Sequence, residues 1–238
     1  MNLQITICTT DRNPNFVYEQ LASIGFGDKK IYDLPLVQLV VCGYKTQYLD
    51  NLKHLKNLKI IELEEGEYER LKNWNPRQKA SYNYWRCLYL GRELDFPQLV
   101  VEDDVIFSSS WYNKVEDAYN VAAHEYGNEF ILRLWSFVRM ENTTRIYRLP
   151  LLKNYGTQAV LWTVGVRRRF QEYLLSVVWN GSNKTYDMIM LDFASWNNIP
   201  VLTLSQEIKI FKNVGLNNSS LEDDRECTTD KLGEVIDW

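Results

Sequence analysis

The sequence predicts an α/β protein built on one mixed, mainly parallel sheet flanked by helices. Three observations carry this. Apolar runs of strand length alternate with segments of helical spacing through the first half of the chain. The clearest run, Leu36–Val37–Gln38–Leu39–Val40–Val41–Cys42, is apolar nearly throughout, as a parallel strand covered on both faces should be. Finally, Gln98–Leu99–Val100–Val101 leads straight into Glu102–Asp103–Asp104 before Val105–Ile106–Phe107 resumes. Consecutive carboxylates repel, and a buried strand does not tolerate them without a compensating cation. They belong at a strand end, where open α/β sheets bind ligands.

Taken in order, Leu3–Thr10 alternates as a strand and breaks at Asp11–Arg12–Asn13–Pro14–Asn15. Phe16–Ile24 has helical spacing, with Gly25 or Gly27 to end it. Leu36–Gly43 is the second strand and Leu58–Leu63 the third. A helix from Arg77 to Gly91 carries Tyr82, Trp85 and Tyr89 on one face. The acidic strand spans 98–107, and Trp111–Tyr126 reads as a helix capped by Ser109 or Ser110. In the second half, Phe130–Trp135, Arg145–Leu149 and Gln158–Val164 read as strands. Arg168–Val178 and Thr185–Asn197 read as helices, and Pro200 opens the strand Val201–Leu204. No repeat or low-complexity linker separates the halves, so they are expected to share one sheet.

A chain of 238 residues buries a sizeable core and fits one large domain or two lobes around one cleft. Its 15 Tyr and 8 Trp against 2 His suit sugar or base recognition, although the same residues also fill cores. A net charge of −4 offers no general attraction to nucleic acid. The local basic run Arg167–Arg168–Arg169 reads as a solvated helix face, with acceptor or phosphate contact as the sharper alternative. Cys8, Cys42, Cys87 and Cys227 are scattered without a CxxC pair, so neither a zinc site nor a disulfide framework is suggested. With no leader pattern and no membrane-length apolar run, the chain is expected to be cytoplasmic.

Asp103 and Asp104 at a strand end suit a divalent metal, which takes oxygen ligands, or else form a solvated acidic turn. The loop Thr9–Thr10–Asp11–Arg12 stands where base and ribose contacts would fall, or is an ordinary polar strand-to-helix turn. Arg77 and Lys79 open a helix whose dipole they oppose. Contact with a diphosphate explains them; so does a salt bridge to the acidic run Glu62–Glu69.

A first strand ending in Thr9–Thr10–Asp11–Arg12, then Glu102–Asp103–Asp104–Val105, Tyr155–Gly156–Thr157–Gln158–Ala159, Tyr186–Asp187–Met188 and Val214–Gly215–Leu216–Asn217–Asn218–Ser219–Ser220–Leu221, resembles GT-A glycosyltransferases in content and order. The likeness is to the lipooligosaccharide-type transferases and the type IV N-acetylglucosaminyltransferases, and it spans residues 3–221. It implies a Rossmann-like GT-A domain over 1–221, with a nucleotide-binding half (1–107), an acceptor-binding half (108–221) and an acidic tail at 222–238. It further implies Mn²⁺ or Mg²⁺ and a nucleotide-sugar donor, a UDP-sugar first of all. In such enzymes the acidic triplet is the DxD-type motif, which puts the metal on Asp104 and ribose or donor-sugar contacts on Glu102 or Asp103. Ser219 and Ser220 join the donor site. Asp187 falls where the catalytic base of an inverting enzyme lies, with Asp192 as second candidate; by itself it is an ordinary first-turn helix acid. Relatives often carry a metal-binding His before the Ser–Ser pair, and Asn213 stands there here, beside Lys212. Asn offers an oxygen, which suits Mg²⁺ or Mn²⁺. Gly156, Thr157 and Gln158 fall on the acceptor side, and Trp135, Trp162 and Trp196 are candidates to stack on a sugar.

The expected function is therefore metal-dependent transfer of a sugar to a glycan or other hydroxyl-bearing acceptor, a hydroxylated viral DNA base being the least favoured. Two other functions compete. A nucleotidyltransferase also pairs acids with a first-strand nucleotide loop, but Thr9–Asn13 contains no Gly. A non-catalytic nucleotide- or glycan-binding module is kept open by Asn213. The sequence leaves the oligomeric state open.

Overall fold

Helices cover both faces of the apolar strands, and that decides the architecture. The computed structural model describes residues 1–11, 16–25, 37–107, 111–134, 145–149, 156–204, 208–210 and 235–237. In chain order these form β1 (Gln4–Thr10), α1 (Val17–Ile24), β2 (Val37–Cys42), β3 (Leu58–Ile61), α2 (Glu65–Leu71), α3 (Pro76–Leu90), β4 (Gln98–Glu102) and β5 (Val105–Phe107). Then follow α4 (Trp111–Tyr126), β6 (Ile131–Arg133), β7 (Arg145–Arg148), β8 (Ala159–Trp162), α5 (Val164–Trp179), α6 (Tyr186–Trp196), β9 (Val201–Leu204), β10 (Ile208–Ile210) and β11 (Val235–Asp237).

One nine-stranded sheet takes the order β11-β7-β9-β6-β8-β4-β1-β2-β3 and draws on both halves of the chain. Its pairings make β7 and β8 antiparallel to the other seven strands. Alternation along β4 shows how the faces are filled. Leu99 and Val101 join a core with Leu21 of α1 and Val115 and Ala118 of α4. Val100 joins a second core with Cys87 of α3, Phe170 of α5 and Met190 of α6. Each buried Leu, Val, Phe or Met among them contributes about 1.5–3 kcal/mol.

Several expectations shift. The acidic strand is two strands, because the chain turns at Asp103–Asp104 and β5 leaves to pair antiparallel with β10. α2 has no apolar periodicity to announce it; reciprocal Glu64–Glu67 capping bonds start it. α5 begins earlier than its apolar pattern, at Val164. Its basic run is not a simple solvated face: fully buried Arg167 donates to the Leu94 and Phe96 carbonyls, 2.7 and 2.9 Å away, in the α3–β4 connection. Arg168 donates to the Arg92 carbonyl and Arg169 pairs with Glu129. Gly25, with φ of 87°, ends α1. Within the segment expected as an acidic tail, Val235–Asp237 pairs with β7 at the sheet edge. Among the described residues no helix is long and apolar enough to cross a membrane. Ser109 and Ser110, the expected cap of α4, lie outside the described residues.

Candidate active site

The chain runs β1 to β2 to β3 in one direction along the sheet, then returns to lay β4 on the far side of β1. Strand order therefore reverses between β1 and β4, and a crevice opens at their carboxyl ends. β1 delivers Thr9 and Thr10 there; β4 delivers Glu102, with Asp103 and Asp104 in the turn beyond. The register sets Cys8 beside Glu102, so Thr9 comes level with Asp103. The Thr9 hydroxyl donates to the Asp103 carboxylate, and both residues are buried. A cleft of about 640 Å³ lies above, the size of a small-ligand site. Thr9, Thr10, Asp11, Lys79 and all three acids line it, together with Tyr44, Tyr68, Asn83 and Tyr186.

α3 holds the floor of this cleft. The Asn75–Gln78 capping box and Pro76 start it. Two turns in, buried Asn83 donates from Nδ2 to the carbonyls of Thr9 at 2.9 Å and Val40 at 3.3 Å. Arg86 donates to the Val41 carbonyl at 2.9 Å, the Glu62 carbonyl at 2.7 Å and Asn83 Oδ1 at 3.0 Å. Two polar side chains thus tie the ends of β1 and β2 and the residue after β3 to one helix. Neither was singled out from sequence. The signal was there: polar residues three apart on the face shared with Cys87, which packs into the core.

Glu102 is held from the second half of the chain. Its Oε1 accepts from the Tyr186 hydroxyl at 2.6 Å and the Thr157 hydroxyl at 3.2 Å. Burial, then the charge of Asp104, push its carboxyl up to about 8, against the pull of those two hydrogen bonds. Tyr186 is itself fixed by stacking on Tyr84 at 4.5 Å, whose hydroxyl accepts from Trp162 Nε1 at 3.1 Å.

Asp187 sits one residue behind Tyr186 and is not among the residues lining the cleft. Its Oδ1 accepts from the Thr185 hydroxyl and from the Met188 amide at 2.9 Å, and its Oδ2 from the Gly156 amide at 3.2 Å. Gly156 has φ of 115°, and a Cβ there would come within 2.6 Å of Gln158 Oε1 and 3.2 Å of Arg133 Nη2. Glycine is needed on both counts. Arg133, 1% exposed, feels the Asp187 charge, while burial lowers its guanidinium to about 10. The sequence reading took Arg133 only as part of a strand.

Of the other expected site residues, Arg77 is not among those lining the cleft and donates from Nη1 to the Asn183 carbonyl at 3.3 Å. Lys79 lines the cleft, its Nζ donating to the Lys72 carbonyl at 2.9 Å. Asp192 pairs with Lys184 on the surface of α6. Trp162 is fully buried and stacks on Phe170, so it is a core residue and not a sugar platform. Trp196 is 71% exposed at the end of α6. Arg12, Trp135, Tyr155, Lys212, Asn213, Ser219 and Ser220 lie outside the described residues.

Among the described residues no group of three or more His, Cys, Asp or Glu side chains is arranged to hold a metal ion. Mg²⁺ commonly takes one or two carboxylates and completes its shell with water and substrate phosphates. Asp104 at the cleft, with its charge acting on Glu102, fits that lighter requirement.

No protein-family model matches the chain, and no curated protein matches it with statistical significance. Solved structures do. Streptococcus pneumoniae CTP:phosphocholine cytidylyltransferase (LicC) is similar at 12% identity and a TM-score of 0.51, over 89% of this chain and 94% of that one. A putative glucose-1-phosphate thymidylyltransferase from Bacillus anthracis is similar at 11% identity and a TM-score of 0.51, over 87% and 88%. S. aureus TarS is similar at 14% identity and a TM-score of 0.52, over 87% of this chain and 35% of TarS. At such identities the likeness shows the fold: a Rossmann-like α/β sheet that nucleotidyl-transferring enzymes share.

Proposed function

We propose that the protein is a glycosyltransferase that moves a sugar from a nucleotide sugar, a UDP-sugar first of all, to an acceptor hydroxyl with Mg²⁺ or Mn²⁺. The observation that carries this is the meeting of Thr9 with the acidic turn Glu102–Asp103–Asp104 at the sheet's switch point, beneath a cleft of ligand size. Thr9, Thr10 and Asp11 border the side on which base and ribose would lie. Asp103, held by Thr9, keeps the acidic turn in register. Asp104 would hold the cation, which when bound neutralises charge building on the leaving diphosphate. Lys79 is the α3 cation that lines the cleft, whereas Arg77 is engaged elsewhere. Tyr186 and Thr157 orient Glu102 from the acceptor half. Asp187, which does not line the cleft, is proposed on the resemblance alone as the base that takes the acceptor proton, giving an inverted product. Roles for Arg12, Asn213, Ser219 and Ser220 rest on the resemblance alone.

A second reading, nucleotidyl transfer, is favoured by the two neighbours that carry such names and match over most of their length. One assay separates the readings. The protein is incubated with Mg²⁺ or Mn²⁺ and either UDP-sugars or nucleoside triphosphates plus sugar 1-phosphates. Release of UDP from a nucleotide sugar is expected. Pyrophosphate release without any nucleoside diphosphate would replace the proposal with the second reading. Metal-dependent nucleotide binding with no turnover would leave a binding module.

A further inference from the structure

Single exposed rings are ordinary on a protein surface, whereas rings that adjoin one another mark a binding surface. Trp179, the last residue of α5, is 57% exposed, and Tyr89, near the end of α3, is 40% exposed. They are the two ends of one continuous run of rings. Trp179 meets Trp74 perpendicularly at 5.2 Å, and Trp74 meets Tyr82 edge-on at 5.7 Å. Tyr82 stacks on Trp85 at 5.3 Å, and Trp85 packs on Tyr89 at 5.1 Å. The Arg92 guanidinium caps the far end, 3.7 Å from the Tyr89 ring centre. A run of rings that served only the core would bury its ends. Here the middle member, Tyr82, is buried and both ends stand in solvent.

The neighbours of the rings say what kind of ligand fits. Around Trp74 and Trp179 they are amides and a guanidinium: Asn75 Nδ2 donates to Gln78 Oε1 at 2.8 Å and to Asn183 Oδ1 at 3.0 Å. Arg77 joins them through the Asn183 carbonyl. Gly181, two residues past Trp179, presents no side chain, and a Cβ there would sit 3.9 Å from Gln78 Nε2. A pyranose has apolar C–H faces that lie on aromatic rings and a rim of hydroxyls that bond to planar amides and guanidinium groups. Trp74 also adjoins the cleft wall along the chain. The Trp74 amide donates to the Leu71 carbonyl at 2.9 Å, and Leu71, Lys72 and Pro76 on either side of Trp74 line the cleft wall.

We propose that the Trp179–Trp74–Trp85–Tyr89 face is a glycan-binding surface that holds an oligosaccharide outside the cleft and leads its end over the α3 N-terminus into it. Calling that oligosaccharide the acceptor rests on the transferase reading; binding it does not. The test is affinity electrophoresis and tryptophan fluorescence of the full chain, without nucleotide or metal. The probes are four linear hexasaccharides, of β-1,4-glucose, α-1,4-glucose, β-1,4-N-acetylglucosamine and β-1,4-mannose. Retention by at least one is expected. Trp179→Ala should weaken it roughly tenfold, as loss of one stacking contact does, and Trp179→Phe should restore most of it. Tyr18→Ala, an exposed ring on α1 outside this run and outside the cleft, should leave it unchanged. Wild type bound by none of the four at millimolar concentration overturns the proposal. So does equal binding by Trp179→Ala, or a wild-type dimer that Trp179→Ala converts to monomer, which would make the face a contact between copies. Because no donor is present, glycan retention stands or falls apart from sugar transfer.

Discussion

Glu102 is poised between two influences: burial and Asp104 push its carboxyl up to about 8 from an ordinary 4.5, and hydroxyl donors from Tyr186 and Thr157 favour the charged form. Between those two values the unfolded chain has released a proton that the native state still holds. Native protein then binds more protons, and stability falls as pH rises from about 5 to about 8. Glu102→Gln mimics the protonated form, so its thermal melting temperature should decline less over pH 5–9 than that of wild type. Equal slopes would contradict the environment described. Asp187 raises a different question, because the local bonds that hold it are also those of a helix-start acid. Asp187→Asn keeps Oδ1 as an acceptor and loses the bond from Gly156, a cost of about 1 kcal/mol. As the base, it should lower turnover about 10²–10⁴-fold, far more than so small a destabilisation explains. Turnover at the wild-type rate, measured beside a urea melt, would remove Asp187 from the mechanism. Composition and order made Asp104 and Asp187 legible as candidates. That Tyr186 grips Glu102 was not legible, since 84 residues separate them.

At the scale of elements, α3 bears the most consequence. Its Asn83 and Arg86 bind carbonyls at the ends of β1 and β2, so the helix sets the distance between the strands that form the cleft. Asn83→Ala leaves buried carbonyls without their donor and should cost about 1–3 kcal/mol in urea unfolding. Nucleotide affinity should fall with it. Ser81 is equally buried on the same helix but its hydroxyl has no hydrogen-bond partner among the described residues, so Ser81→Ala should be neutral or slightly stabilising. A larger loss at Ser81 than at Asn83 would refute this account of α3. The helix itself was legible from its aromatic spacing, but its Asn75 cap was not read. α2 was not, because capping rather than an apolar face initiates it, and periodicity reports only the latter.

At the scale of the whole molecule, a ligand that binds only the native state raises the melting temperature by mass action, about 2.7 kcal/mol of stabilisation at a hundredfold excess over Kd. UDP with Mg²⁺ should therefore raise it by several degrees, and UDP with EDTA by much less. Asp104→Ala should abolish the difference while melting like wild type without ligand, because a cleft-facing turn acid contributes little packing. Equal UDP shifts in wild type and variant would sink the metal assignment. By itself the sequence determined the α/β class, most strands and helices, and the strand-end position of the acids. Each of these follows from local patterning: apolar runs, capping residues and charges that repel. Only the tertiary structure decided that Arg167 is buried against carbonyls, that Trp162 belongs to the core, that Arg77 binds the Asn183 carbonyl and does not line the cleft, and that Trp74, Tyr82, Trp85, Tyr89 and Trp179 join into one run of rings. The physical reason is common to all four. Burial, carbonyl capping and ring contact depend on which distant segments the sheet order brings together, and local spacing carries no record of that.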